Sequence, residues 1–143
     1  MKIQVNKSAT SYAKEEILID ASVVKVFKLI SEINNWKLWQ TNVEKVSIAG
    51  EPREGASFKW KMGGLPIVSK LHTLAPFTEI GWTGRTWWIT AIHNWYFEEE
   101  ENGKCKVTVE ESLNGFLSGL MSKSLRQGMI QNLKELKLAA EMQ

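Results

Sequence analysis

The chain has 143 residues, with 18 basic against 16 acidic side chains for a net charge of +2, and it contains seven tryptophans but one cysteine. That length is one domain's worth. The charges are few and interspersed, which argues against a dedicated nucleic-acid surface, and no run approaches the ~20 apolar residues of a membrane span, which argues against integral membrane association.

Met1 to Ala13 is polar, lacks the hydrophobic block of a secretory signal, and is expected to be frayed or to form a variable first strand. With Cys105 alone no intrachain disulfide can form, and the expected compartment is the cytoplasm. Glu15 to Asp20 alternates with Ile17 and Ile19 on one face and reads as a strand. Ser22 suits the N-cap of a short helix through Ile30, with Val23, Val26, Phe27 and Ile30 on its inner stripe. Ser31 to Gln40 reads as a second short helical turn with Trp36 and Trp39 on one side.

A meander of strands follows. Val43 to Ala49 comes first, and then Ala56 to Met62 sets Phe58, Trp60 and Met62 against Lys59 and Lys61, the alternation of a sheet with one wet face. Gly63-Gly64 turns the chain. Pro66 to Leu74 places Ile67, Ser69, Leu71 and Thr73 inward, and His72, in phase with Lys70, toward water. Thr78 to Arg85 turns Ile80 and Trp82 inward and leaves Arg85 as a solvated residue at a hairpin edge. The last two strands are Trp88 to Glu99 and Lys104 to Leu113, joined by Glu101-Asn102-Gly103. A three-residue hairpin loop wants positive φ at its last position, which Gly103 supplies. That register sets Phe97 against Val107, Trp95 against Val109 and His93 against Glu111; a two-residue turn would displace every apolar set by one.

From Phe116 to about Glu141 the period becomes 3.6, with Leu117, Leu120, Met121, Leu125, Met129, Leu133, Leu136 and Ala140 on one stripe. This predicts a single long helix of ~26 residues, roughly 39 Å, weakened by Gly115, Gly119 and Gly128, so that Phe116 to Ser122 could move to admit a ligand. Its basic side, Lys123, Arg126, Lys134 and Lys137, is expected to face solvent rather than anionic lipid. The class is therefore α+β: a curved antiparallel sheet whose apolar face is covered by the C-terminal helix.

The tryptophans can be core or cavity wall. Trp60, Trp82, Trp87 and Trp95 share an inward phase if Trp87 continues that of Ile89 and Ala91. With Phe58, Leu71, Ile89, Met121, Leu125 and Met129 they form the expected lining, and His93 with Glu111 forms a polar spot within it. That pair can be structural, can orient a ligand carbonyl or hydroxyl, or can transfer a proton beside a carbonyl. A dry cavity of ~300 Å³ would cost about 7 kcal/mol, close to the whole stability of a domain, so a cavity containing these groups should hold water or ligand. Two histidines without Cys/His spacing suggest no metal site, and no Gly-rich loop leads into a helix, so no cofactor is expected.

Gly81-Trp82-Thr83-Gly84-Arg85, His93-Asn94-Trp95, Thr108-Val109-Glu110-Glu111-Ser112 and Gly115 resemble the START-like (SRPBCC) superfamily, in particular its polyketide cyclase/dehydrase branch. Trp36 and Trp39 ahead of Val43 and Val46, and Gly55 ahead of Phe58 and Trp60, resemble it too. The resemblance covers Glu15 to Ala140 and implies the helix-grip fold: six or seven antiparallel strands around a long C-terminal helix, two short helices after the first strand, and a hydrophobic cavity between sheet and helix. Members bind lipids, sterols, polyketides and other apolar molecules; some catalyse cyclisation or dehydration, and others carry ligands or bind partners. Catalytic residues differ between members, so none is carried over. Lys37 and Gln40-Thr41 depart from the prolines common after the two tryptophans, in a loop placed to gate the pocket. The expected protein is a monomer or weak homodimer that binds a small hydrophobic ligand. The alternatives are a cyclase- or dehydratase-type enzyme using His93 and Glu111, and a protein-interaction module without a small ligand.

Overall fold

The computed structural model describes residues 1–116 and 118–142. The described residues form strand β1 (Ser11–Ile19), helix α1 (Val23–Ser31), a 3₁₀ turn (Ile33–Leu38), and strands β2 (Val43–Ile48), β3 (Ser57–Met62), β4 (Leu65–Ala75), β5 (Glu79–Thr86), β6 (Ile89–Glu99) and β7 (Cys105–Gly115). A short 3₁₀ turn (Glu101–Gly103) joins β6 to β7, and a third (Ser118–Met121) leads into helix α2 (Ser122–Glu141). The seven strands make one antiparallel sheet in the order β1-β7-β6-β5-β4-β3-β2. Successive hairpins build β2 to β7, and the excursion through α1 lets β1 close the far side against β7. No helix among the described residues is long and apolar enough to cross a membrane.

Local chemistry accounts for the frame. Ser22 caps α1 by accepting a hydrogen bond from the Lys25 N–H, and Val26, Phe27 and Ile30 form its buried face. The β6–β7 turn uses positive φ at both Asn102 and Gly103, residues that tolerate it, and the Glu100 N–H donates to the Lys104 carbonyl. The expected register holds: Phe97 pairs with Val107, Trp95 with Val109 and His93 with Glu111.

The helix packs against β1 and α1 at one side of the sheet. Met129, Leu133, Leu136 and Ala140 are its buried stripe. Beneath α1 the core is dense: Trp36 is buried, with its ring edge-on to Phe58 at 5.5 Å and to Trp60 at 5.2 Å. The sheet thus grips the C-terminal part of α2, and the wall of β3 to β6 stands away from its N-terminal half.

Four expectations are corrected. The final helix begins at Ser122 rather than Phe116, because Gly115 at φ 124° bends the chain out of β7 and a 3₁₀ turn intervenes. Leu120, placed on the helix stripe, is 79% exposed, and Leu117 lies outside the described residues. The N-terminal arm is tied across the outer face of the sheet. The Ile3 N–H donates to His72 Nδ1 at 3.2 Å, Asn94 Nδ2 donates to the Ile3 carbonyl at 2.9 Å, and the Asn6 N–H donates to Ser112 Oγ at 3.1 Å. Finally, His72 is buried instead of facing water. The ring keeps the outward phase of Lys70, beside Asn94, and the N-terminal arm covers it there, while the register shift between Leu71 and Thr73 leaves Thr73 beside it on the same face. Its ring fits against Gly81, where any Cβ would overlap His72 and Asn94.

Candidate functional site

The space left between the sheet and the first half of α2 is a cavity of about 390 Å³. Its wall is mostly apolar. Met62, Ile67, Trp82, Ile89 and Leu113 from the sheet face Met121, Leu125 and Met129 from the helical side. Alternation along β3 to β7 delivers these side chains to the concave face. A dry void of this volume would cost about 9 kcal/mol, which is the scale of a whole domain's stability.

Within the wall the polar groups are few and placed by register. His93 Nδ1 lies 3.2 Å from Glu111 Oε1, with the two side chains 16% and 18% exposed. The imidazole is stacked between two indoles, Trp82 at 4.8 Å and 14° and Trp95 at 5.5 Å and 20° between ring planes. His93 Nε2 and Trp95 Nε1 are buried with no hydrogen-bond partner among the described residues. Leaving such a group unpaired costs about 1–3 kcal/mol. Trp39 Nε1 is likewise buried without a partner among the described residues, whereas two other indoles are satisfied internally: Trp60 Nε1 donates to Ser69 Oγ at 3.0 Å and Trp36 Nε1 to the Ile30 carbonyl at 2.8 Å.

At one end of the cavity, Gln40 Oε1 accepts from Asn132 Nδ2 at 2.6 Å, and the Thr41 N–H donates to both Glu135 carboxylate oxygens at 3.2 Å. These bonds fasten the loop after the first 3₁₀ turn to α2. Arg85 is exposed, as the sequence suggests, and the residue also borders the cavity.

Most of the expected lining meets in this one space: Trp60, Trp82, Ile89, His93, Trp95, Glu111, Met121, Leu125 and Met129 all border it. Phe58 and Leu71 do not; at 2% and 0% exposure they are core behind the wall. Trp87 is a clear correction. It occupies, with Trp88, the turn between Thr86 and Ile89, has φ 49°, and is 64% exposed. Phase counting cannot be carried through a hairpin turn. Sequence reasoning missed Gln40, Asn42 and Asn132 as lining, since polar residues that meet across the fold leave no periodic signal.

The arrangement can hold an apolar body and address one oxygen atom of it. With Glu111 beside Nδ1, the other imidazole nitrogen is the one left for a ligand, as donor to a carbonyl or as acceptor from a hydroxyl.

A family model described as polyketide cyclase / dehydrase and lipid transport matches residues 12–141. The hypothetical protein jhp0584 from Helicobacter pylori superposes with a TM-score of 0.85 at 12% identity, covering 99% of this chain and 98% of that one. A START superfamily protein from Mycobacterium smegmatis does so at 0.75 and 14%, covering 91% and 97%. DynU16, a protein in the dynemicin biosynthetic locus, gives 0.75 and 15%, with 92% of this chain matching 48% of that one. At such identities the likeness is one of fold. No curated protein matches the chain.

Proposed function

The chain belongs to the polyketide cyclase / dehydrase and lipid transport family, with the START-like fold, and from that membership we propose that it binds a small, mainly hydrophobic, lipid- or polyketide-like molecule between sheet and C-terminal helix. The observation that carries this reading is an apolar cavity of about 390 Å³ whose wall holds a stacked His93 with an unpartnered Nε2. Burying on the order of 200 Å² of apolar ligand surface would supply about 5 kcal/mol, whereas a hydrogen bond to His93 would supply about 1 kcal/mol net. Apolar contact therefore sets affinity, and His93 with Glu111 sets orientation. Since Nε2 is closed off in the present packing, the Trp82–His93–Trp95 stack must open slightly for a ligand oxygen to reach it. The protein acts as a single domain, a monomer or weak homodimer, and its one free thiol, buried Cys105, suits the reducing cytoplasm.

The test is native mass spectrometry of gently purified protein, followed by extraction and identification of whatever accompanies it. A bound apolar molecule at one per chain supports the proposal. A chain that carries nothing and takes up no sterol, fatty acid or aromatic polyketide from a panel opposes it.

The 3.2 Å approach of His93 to Glu111 favours a second reading, a cyclase- or dehydratase-type enzyme in which the pair moves a proton beside a ligand carbonyl. Binding without turnover separates the carrier from the enzyme. A protein-interaction module would bind no small molecule at all.

A further inference from the structure

The β5–β6 hairpin carries a feature that cavity binding does not use. Its two turn residues are both tryptophans, Trp87 at 64% and Trp88 at 56% exposure, with rings stacked at 5.9 Å. Trp88 meets Phe116 edge-on at 6.2 Å, and Phe116 is itself 68% exposed. The backbone fixes this meeting: Ile89 pairs with Gly115, and a side chain at Gly115 would collide with the Trp88 carbonyl. Leu120, 79% exposed, lies in the 3₁₀ turn just beyond.

Trp87 sits at φ 49°, a conformation that hairpin turns ordinarily give to Gly, Asn or Asp. A bulky residue there is strained, and its exposure shows that packing within the chain does not compensate. The two segments that meet here have one sign of charge. Residues 80–97 and 112–134 contain no Asp or Glu, but they carry Arg85, Lys123, Arg126 and Lys134. Arg126 is held by Glu15, while Arg85 and Lys123 form no ion pair among the described residues. The patch also adjoins the cavity, whose wall includes Arg85, Thr86, Ile89 and Met121.

We propose that the Trp87–Trp88 hairpin tip, with Phe116 and Leu120, docks the protein on the surface of an anionic phospholipid bilayer. Indoles at a projecting tip suit the headgroup region, where an apolar ring and a polar N–H are both accommodated. Unpaired arginine and lysine beside them suit a negative surface. A second copy of the chain fits less well, because a two-fold contact through this patch would set Arg85 and Lys123 near their own equivalents. Docking would hold the cavity mouth against the bilayer, so that an apolar ligand need not cross water. That consequence rests on the ligand-binding reading; the docking itself does not.

The test is flotation of the full chain with phosphatidylcholine vesicles and with phosphatidylcholine mixed with phosphatidylglycerol. The expected result is binding to the mixed vesicles, weakened by salt, with a blue shift of indole emission. The Trp87→Gly/Trp88→Ser variant should lose about tenfold or more in vesicle affinity, and Lys123→Ser a smaller factor. Trp87→Gly places glycine at a positive φ, so circular dichroism and melting should show a folded protein. His93→Ala should leave vesicle binding intact, which separates failure of docking from failure of the cavity reading. No flotation, equal flotation of the double tryptophan variant, or a dimer that the variant dissociates without any vesicle binding would each overturn the proposal.

Discussion

His93 Nδ1 and Glu111 Oε1 stand 3.2 Å apart on neighbouring strands, a meeting dictated by the Glu101-Asn102-Gly103 turn at the far end of the same hairpin. The turn fixes the register, and the register puts an ionisable pair into a wall of indoles. His93→Ala should therefore lower affinity for a bound carbonyl- or hydroxyl-bearing ligand by about 5- to 10-fold, the scale of one hydrogen bond, and should leave affinity for a purely apolar ligand nearly unchanged. Fluorescence titration with both ligand types checks this. Equal losses for both would show that the imidazole serves only as packing between Trp82 and Trp95.

His72 predicts the pH dependence of stability. Burial holds its pKa below the ordinary 6.5, against the opposing effect of its hydrogen bond to Asn94. The unfolded chain thus binds more protons than the folded one between the depressed value and 6.5. Stability from this group is complete above 6.5 and declines as the pH falls below it. Protonation also takes from the Ile3 N–H its acceptor at Nδ1, so the N-terminal arm should loosen in the same range. Melting temperatures followed from pH 8 to pH 5 should fall more steeply for the wild type than for His72→Gln, whose parallel behaviour would refute the assignment.

Gly81 is required by contact rather than by its own conformation. A Cβ there would overlap Asn94 Oδ1 and the His72 ring. Gly81→Ala should destabilise by about 1–3 kcal/mol, measured by denaturant unfolding. An unchanged midpoint would mean that His72 and Asn94 rearrange without cost.

The Gln40–Asn132 bond at 2.6 Å and the Thr41–Glu135 bonds fasten a loop beside the cavity to α2. Asn132→Ala should speed both entry and exit of ligand several-fold while changing the equilibrium affinity little, since it loosens a closure rather than the wall. Stopped-flow indole fluorescence separates the rates; a changed affinity with unchanged entry would make Asn132 a direct ligand contact instead.

The sequence makes the sheet, its one wet face and the His93–Glu111 pairing legible, because period-2 alternation and a glycine-bearing turn are local signals. It also marks α2 through the stripe from Leu125 to Ala140. The errors fall where distant contacts or turns override local phase. His72 keeps its outward phase but is covered by the N-terminal arm, a contact no local residue pattern announces, and Trp87 leaves the wall because a two-residue turn holds a bulky residue at positive φ. The polar closure by Gln40 and Asn132 joins residues far apart in the chain, and neither carries periodic information. Phe58 and Leu71 have the right phase and the wrong depth: alternation tells which face a side chain takes, and the position of α1 and the first 3₁₀ turn above them decides whether that face meets core or cavity.

The central claim is that the concave face holds a ligand in a real hollow. Ala91 borders that hollow without belonging to the polar pair, so Ala91→Trp fills it from one side. Titration of wild type and variant with anilinonaphthalene sulfonate, a fluorescent probe with an apolar aromatic body and one sulfonate, measures this directly. One saturable site in the wild type, absent from an equally folded Ala91→Trp protein, is the predicted result; undiminished binding by the variant would contradict the account.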